Sequence, residues 1–137
     1  MPDVDLDSWI RRYYDRVVNA RDLAAIDDLV APNYVGSGLG WASTLEKLRE
    51  FYIWQATYRP DWRIDVQDTL QVADWVAVRA HAGGTVSHDD VGQPLDASYR
   101  RAVEWLTVSR IVDGRLSETR FLSVRDRDNP TSRGLVT

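Results

Sequence analysis

Cysteine is absent from these 137 residues. That removes disulfides, thiolate metal sites and a cysteine nucleophile together. A basic excess is missing as well, with 17 Lys and Arg against 21 Asp and Glu, a net charge of -4. The doublets Arg11-Arg12 and Arg100-Arg101 stand isolated beside acidic neighbours. Phosphate backbones require a concentrated basic field, so no nucleic-acid partner is expected. No apolar run approaches the roughly 20 residues that span a bilayer, so no membrane segment is expected. The opening Met1-Pro2-Asp3-Val4-Asp5 lacks the basic and apolar parts of a signal peptide, and the cytoplasm is the expected location. Neither an internal repeat nor a second domain is evident. The expected organisation is one domain over residues 1–126 and a flexible tail over 127–137, rich in Asp, Asn, Pro and Ser.

What is present is an ordinary globular composition, 44% apolar and 28% charged, in a chain long enough to bury a core unaided. Six tryptophans and six tyrosines are many for this size. Flat amphipathic rings of this kind serve as core, interface or ligand platform. From Asp7 to Ala20, the residues Ile10, Tyr13, Tyr14, Val17 and Val18 recur at helical spacing, with Asp7 or Ser8 as cap. Asp22 caps a short second helix carrying Leu23, Ile26, Leu29 and Val30, and Pro32 discourages its continuation. Tyr34-Val35 reads as a short extended piece, followed by a loop through Gly36, Gly38 and Gly40 to Trp41. Ser43-x-x-Glu46 is a capping box for a third helix that ends at Pro60.

Beyond Pro60 the period becomes two. Trp62, Ile64 and Val66 open one strand, and Trp75 to Ala82 form the next. In the latter, Val76, Val78, Ala80 and Ala82 lie opposite Ala77, Arg79 and His81. A long hairpin then runs from Ser98 to Asp126 with its turn at Asp113-Gly114, a pair suited to the positive φ values of a type I′ turn. Helices first and antiparallel strands afterwards predict an α+β fold, a bent sheet covered on one face by three helices.

Over Ile10 to Arg125 the chain resembles the nuclear-transport-factor-two-like fold, in its SnoaL-like polyketide cyclase and ketosteroid isomerase branch. The resemblance is carried by Tyr14, Asn19-Ala20-Arg21-Asp22-Leu23, Ala31-Pro32-Asn33-Tyr34, Pro60-Asp61-Trp62-Arg63-Ile64-Asp65-Val66, Val76-Ala77-Val78-Arg79, Gly84-Thr85, Arg110-Ile111-Val112-Asp113-Gly114-Arg115-Leu116 and Glu118. It implies a cone, a strongly bent antiparallel sheet packed on three N-terminal helices around an internal cavity. It also implies cofactor-free chemistry on a small apolar, aromatic or polycyclic metabolite, no metal, and a homodimer formed through the outer sheet face.

By the same resemblance, the aspartate of the cyclases would lie three residues after Glu118, where Phe121 stands. Tyr14 matches a tyrosine that donates to a substrate oxyanion in the isomerases, or is simply a core tyrosine. Arg79 and His81 share a face that limonene-type epoxide hydrolases turn inward, which implies an anion-binding arginine beside an acid/base histidine. The plainer alternative is an arginine paired with an acid and a buried, satisfied imidazole. The expected catalytic residues are thus Arg79, His81 and Tyr14. Tyr34, Trp41, Trp54, Trp105, Thr107 and Phe121 are the expected substrate-binding wall, with Val103, Thr119 and Ser123 also inward by alternation. His88-Asp89-Asp90 reads as a hairpin tip, Glu104 as an outer-face charge, and Asp126 reaches the cavity mouth only through a register slip. A non-catalytic binding module of the same fold is the competing expectation. If the dimer expectation is right, sedimentation at micromolar concentration gives a dimer mass, and a monomer there removes it.

Overall fold

The computed structural model describes residues 5–38, 42–127 and 134–135, the last two by backbone only. Helix α1 (Leu6–Tyr14) buries Leu6, Trp9, Ile10, Tyr13 and Tyr14 along one stripe. Its cap is Asp5, whose carboxylate accepts from the Ser8 amide at 3.1 Å. Of the two expected caps, Asp7 is engaged elsewhere, accepting from Arg11 at 2.9 Å and Thr69 at 2.7 Å, and the Ser8 hydroxyl donates to Asp5 at 2.7 Å. The helix widens into a π-helical turn over Asp15–Asn19. That turn delivers Asn19 to the sheet, where its amide donates to the Ile64 carbonyl at 2.9 Å and accepts from the Ile64 amide at 2.8 Å. One side chain thereby imitates a strand neighbour. Asp22 does not cap α2 (Ala25–Leu29) through its side chain, which pairs with Arg16 at 3.1 Å. Helix α3 (Leu45–Tyr58) is capped by Thr44 instead of Ser43, accepting from Lys47 at 3.1 Å.

The strands are β1 (Val30–Ser37), β2 (Arg63–Val72), β3 (Trp75–His88), β4 (Pro94–Val112), β5 (Arg115–Asp126) and β6 (Gly134–Leu135). Their order is β1-β5-β4-β3-β2, with β6 added to β5. Strands β2 to β5 are antiparallel neighbours as expected. Strand β1 corrects the all-antiparallel expectation. It is eight residues long and pairs parallel to β5, placing Val30 beside Leu116 and Ser37 beside Arg120. The sheet is therefore mixed and open. Gly134–Leu135 pairs with Ser123 and Val124.

One face of this sheet carries the core. Val76, Val78, Ala80 and Ala82 of β3 are buried, and their β4 partners Ser109, Thr107, Trp105 and Val103 continue the inward row. The turn at Asp113-Gly114 has φ values of 52° and 76°, as the residue pair predicted. Strand β5 departs from simple alternation twice. Its pairing with β4 skips Ser117 and Leu122, so each is a bulge that shifts the following residues by one position. The second bulge sends Ser123 outward, opposite Leu106, which corrects its inward expectation. It also brings Val124 and Asp126 into line with the inward Trp105 and Val103.

Gly38 follows β1 at φ 90°, and a Cβ there would lie 2.2 Å from the Phe121 carbonyl oxygen. Gly114 has φ 76° but open space around it. Gly38→Ala is expected to cost the backbone strain, about 1–3 kcal/mol, plus that clash, whereas Gly114→Ala costs the strain alone. Urea denaturation of the two variants checks this, and equal midpoints would contradict it.

Candidate functional site

The concave face of the sheet and α3 enclose an open pocket of about 560 Å³. From α3 it takes Phe51, Trp54 and Gln55, and from just beyond the helix Arg59 and Trp62. From the sheet come Val103, Trp105 and Val124, with Arg101 from the same strand as Trp105. Lys47, Glu50 and Asp90 complete the charged part of the lining. The wall is thus mostly flat and aromatic, with its charges spread from Lys47 and Glu50, early in α3, to Arg59 just beyond that helix. Phe51 and Trp54 stack at 6.3 Å, and Arg59 lies over the Trp54 and Trp62 rings at 4.8 and 5.3 Å.

Three donor atoms on this wall are buried with no hydrogen-bond partner: Trp54 Nε1, Trp105 Nε1 and Arg59 Nε. Burial foremost, and then the charge of Arg101, holds the Arg59 guanidinium below its ordinary pKa, with Tyr99 and Asp90 acting in the opposite direction. Arg101 itself is bound to Asp126 at 3.0 Å. The β5 bulge makes that pairing possible, by the register shift that sequence alternation alone had disfavoured.

Of the expected wall residues, Trp54 and Trp105 line the pocket. Trp41 lies outside the described residues. Tyr34, Thr107 and Phe121 point inward but sit behind the pocket: Tyr34 and Thr107 are buried in the core, and Phe121 packs edge-on to Trp105 at 6.1 Å. Tyr14 is also behind it, its ring 5.7 Å from Trp105. Burial raises the Tyr14 hydroxyl pKa, an effect that Thr107 facing it reduces. Burial likewise pushes Tyr34 up to about 12, with Thr119 facing its hydroxyl. Both remain neutral donors throughout the working pH range. The Tyr34 and Thr107 oxygens nevertheless form no close hydrogen bond.

Arg79 and His81 require a correction, because they are on the outer face. The even-numbered row of β3 is the buried one, so its odd-numbered neighbours must point away from the helices. There Arg79 donates to Asp68 at 2.7 Å and to Glu104 at 3.1 Å, while His81 Nε2 lies 3.4 Å from the same Glu104 oxygen. Arg125 reaches the other oxygen at 3.3 Å. This is the paired-arginine alternative, and Glu104 is the outer-face charge it was expected to be. His88 bonds Ser87 at 2.9 Å and packs on Tyr58, while Asp89 accepts from the Val91 and Gln93 amides to shape the hairpin tip. Sequence reasoning missed Arg59, Arg101 and Gln55. Only Arg59 carried a signal, standing between Trp54 and Trp62 at the close of a helix.

The matching family model is that of the SnoaL-like polyketide cyclases, and it spans residues 8–125. The chain belongs to the SnoaL-like polyketide cyclase family. IdmH of Streptomyces antibioticus is 26% identical to this family member, with a TM-score of 0.69 over 91% of this chain and 94% of that one. A SnoaL-like polyketide cyclase of Agrobacterium tumefaciens is 16% identical, with a TM-score of 0.72 over 89% and 91%. TsrD of Streptomyces laurentii, 15% identical, has a TM-score of 0.69 over 87% of each chain. No curated protein matches this SnoaL-like chain. Among its described residues no helix is long and apolar enough to cross a membrane.

The hydrogen bonds from Arg79 foremost, against some cost of desolvation, hold the Glu104 carboxyl below its ordinary 4.5. A lowered folded-state pKa contributes stability above pH 4.5 that is lost as pH falls through the folded value. The stability gap between wild type and Glu104→Gln should therefore be full near pH 6 and shrink below 4.5. Urea midpoints measured between pH 3 and 7 check it, and a constant gap would contradict it.

Proposed function

We propose that this chain binds a flat, largely apolar aromatic or polycyclic metabolite in the pocket between α3 and the sheet, and promotes a cofactor-free cyclisation, isomerisation or hydrolytic ring-opening of it. The observation that carries the reading is the aromatic pocket of about 560 Å³ with Arg59 lying over two of its indoles. A volume of that order suits one small-molecule ligand, and a few polar groups in an apolar wall fix its orientation. The family membership supports the reading, as does the likeness to IdmH, itself named a candidate polyketide cyclase.

In this reading the usual catalytic aspartate is replaced by Phe121, and its task passes to another carboxylate of the inward face. Asp126 is the favoured one. It follows Val124 on the inward side of β5, and Arg101 orients it at 3.0 Å. A carboxylate placed within hydrogen-bond reach of a C–H acid next to a carbonyl can remove that proton, and the guanidinium donors can hold the resulting oxyanion. A second copy of the chain is proposed to cover the outer sheet face, where Leu70, Val72, Leu106 and Leu122 are exposed.

The second reading is a binding module without turnover, favoured by the apolar contact of Phe121 with Trp105 at the position where a carboxylate was expected. A thermal-shift screen of aromatic polyketide-like compounds, followed by turnover assays on each hit, decides between them. In the enzyme reading Asp126→Asn binds the hit and loses about 10²–10⁴-fold in rate. A hit bound unchanged by wild type supports the binding module, and a screen without hits rejects both.

A further inference from the structure

Arg59 differs from the arginines around it. Arg101 is held by Asp126 at 3.0 Å and Arg100 by Asp61 at 2.9 Å. Arg59 forms no ion pair among the described residues, and its Nε is buried without a partner. Its position is nevertheless well defined. It closes α3 at a residue that must leave helical geometry before Pro60, with φ -134° and ψ 62°. From there its guanidinium lies over two indole faces, Trp54 at 4.8 Å and Trp62 at 5.3 Å. Stacking fixes the plane of the group and leaves its in-plane N–H bonds as a preset fork. Two more donors on the same wall, Trp54 Nε1 and Trp105 Nε1, are also unmet.

Those three atoms are closed off from anything the size of a water molecule, which leaves the Nη groups of Arg59, a pocket-lining residue, to meet a ligand. A guanidinium only donates, so the ligand must bring acceptor oxygens. A neutral carbonyl offers one oxygen. A carboxylate brings two coplanar acceptors to a planar fork, the geometry in which guanidinium binding is strongest. The net charge of the rim does not itself select an anion, because Glu50 and Asp90 face the pocket along with Lys47 and Arg101. Selectivity has to come from the unpaired fork.

Resting on the reading that the pocket holds a flat aromatic metabolite, we infer that this metabolite carries a free carboxylate, which the guanidinium of Arg59, stacked on Trp54 and Trp62, binds. The ligand is an aromatic acid, and its ester is a poor substitute. Arg59 is then the residue that separates the acid from the ester, with Arg101 committed to Asp126.

Calorimetric titration with anthraquinone-2-carboxylate and with its methyl ester tests this at pH 7. Wild type is expected to bind the acid about tenfold or more tightly than the ester, since a charge-assisted contact replaces a neutral one. Arg59→Gln should erase that preference by weakening the acid far more than the ester, and Arg100→Gln, at a residue outside the pocket lining that pairs with Asp61, should retain it. Should Arg59→Gln lose its native near-ultraviolet dichroism, Arg59→Lys takes its place: it keeps the charge, loses the planar fork and should reduce the preference. Equal binding of acid and ester by wild type overturns the inference and leaves the pocket reading standing. So does a preference that survives loss of the Arg59 fork. Binding of neither compound at millimolar concentration overturns the pocket reading and the inference with it.

Discussion

The structure depends on the register between β3 and β4. Val78 opposite Thr107, Ala80 opposite Trp105 and Ala82 opposite Val103 form one inward row, and the helices pack on that row. Alternation has a period of two, so a slip of one residue would exchange it for Arg79, His81 and Glu104. Those three groups are engaged on the opposite side in a network reaching Asp68 and Arg125. The two faces thus enforce the same register from opposite directions, one by apolar burial and the other by charge pairing that a buried position could not satisfy. The small alanines on β3 matter here. Ala80 leaves space beside its neighbour for the Trp105 ring, which forms part of the pocket wall and backs onto Tyr14 and Phe121.

Where local chemistry decides the outcome, the sequence is readable. Asp113-Gly114 demands a hairpin, and both residues take positive φ. The spacing of Ile10, Tyr13, Tyr14 and Val17 requires a helix, and all four are buried. The three helices, the antiparallel strands and the family follow from signals of this kind. The parallel pairing of β1 does not, because Val30–Ser37 contains a proline and a glycine and finds its partner more than 80 residues away. Nothing local encodes such a contact.

The site was less legible, for two separable reasons. Arg79 and His81 were assigned inward through a resemblance, against their own alternation: Val76, Val78, Ala80 and Ala82 are the better inward row on hydrophobicity alone, and burial follows hydrophobicity. The bulges at Ser117 and Leu122 are a different matter. A bulge is a pairing event between two strands, and neither residue type announces it. The consequence reaches four residues further, to Asp126 beside the pocket. Arg59 stands between Trp54 and Trp62 at the close of a helix, yet its lack of an ion pair is a tertiary property that this local signal does not carry.

The arrangement of polarity follows from the same constraints. Behind the pocket, Tyr13, Tyr14, Trp105 and Phe121 form a chain of ring contacts, T-shaped or tilted, running from α1 across to β5. Pairs of this kind add about 0.5–1.5 kcal/mol each beyond the area they bury. A charge introduced among them would have no counterion. Arg59 follows α3 and Asp126 closes β5, while Arg101 sits within β4 and pairs with Asp126 at 3.0 Å. In the proposed complex the ligand's flat portion lies along the indoles and its carboxylate faces Arg59. A reacting carbon beside those oxygens would then lie near Asp126 instead of near Phe121. In the proposed function the two features act together: Phe121 leaves no carboxylate at that inward position of β5, and the bulge at Leu122 turns Asp126 to the inward face.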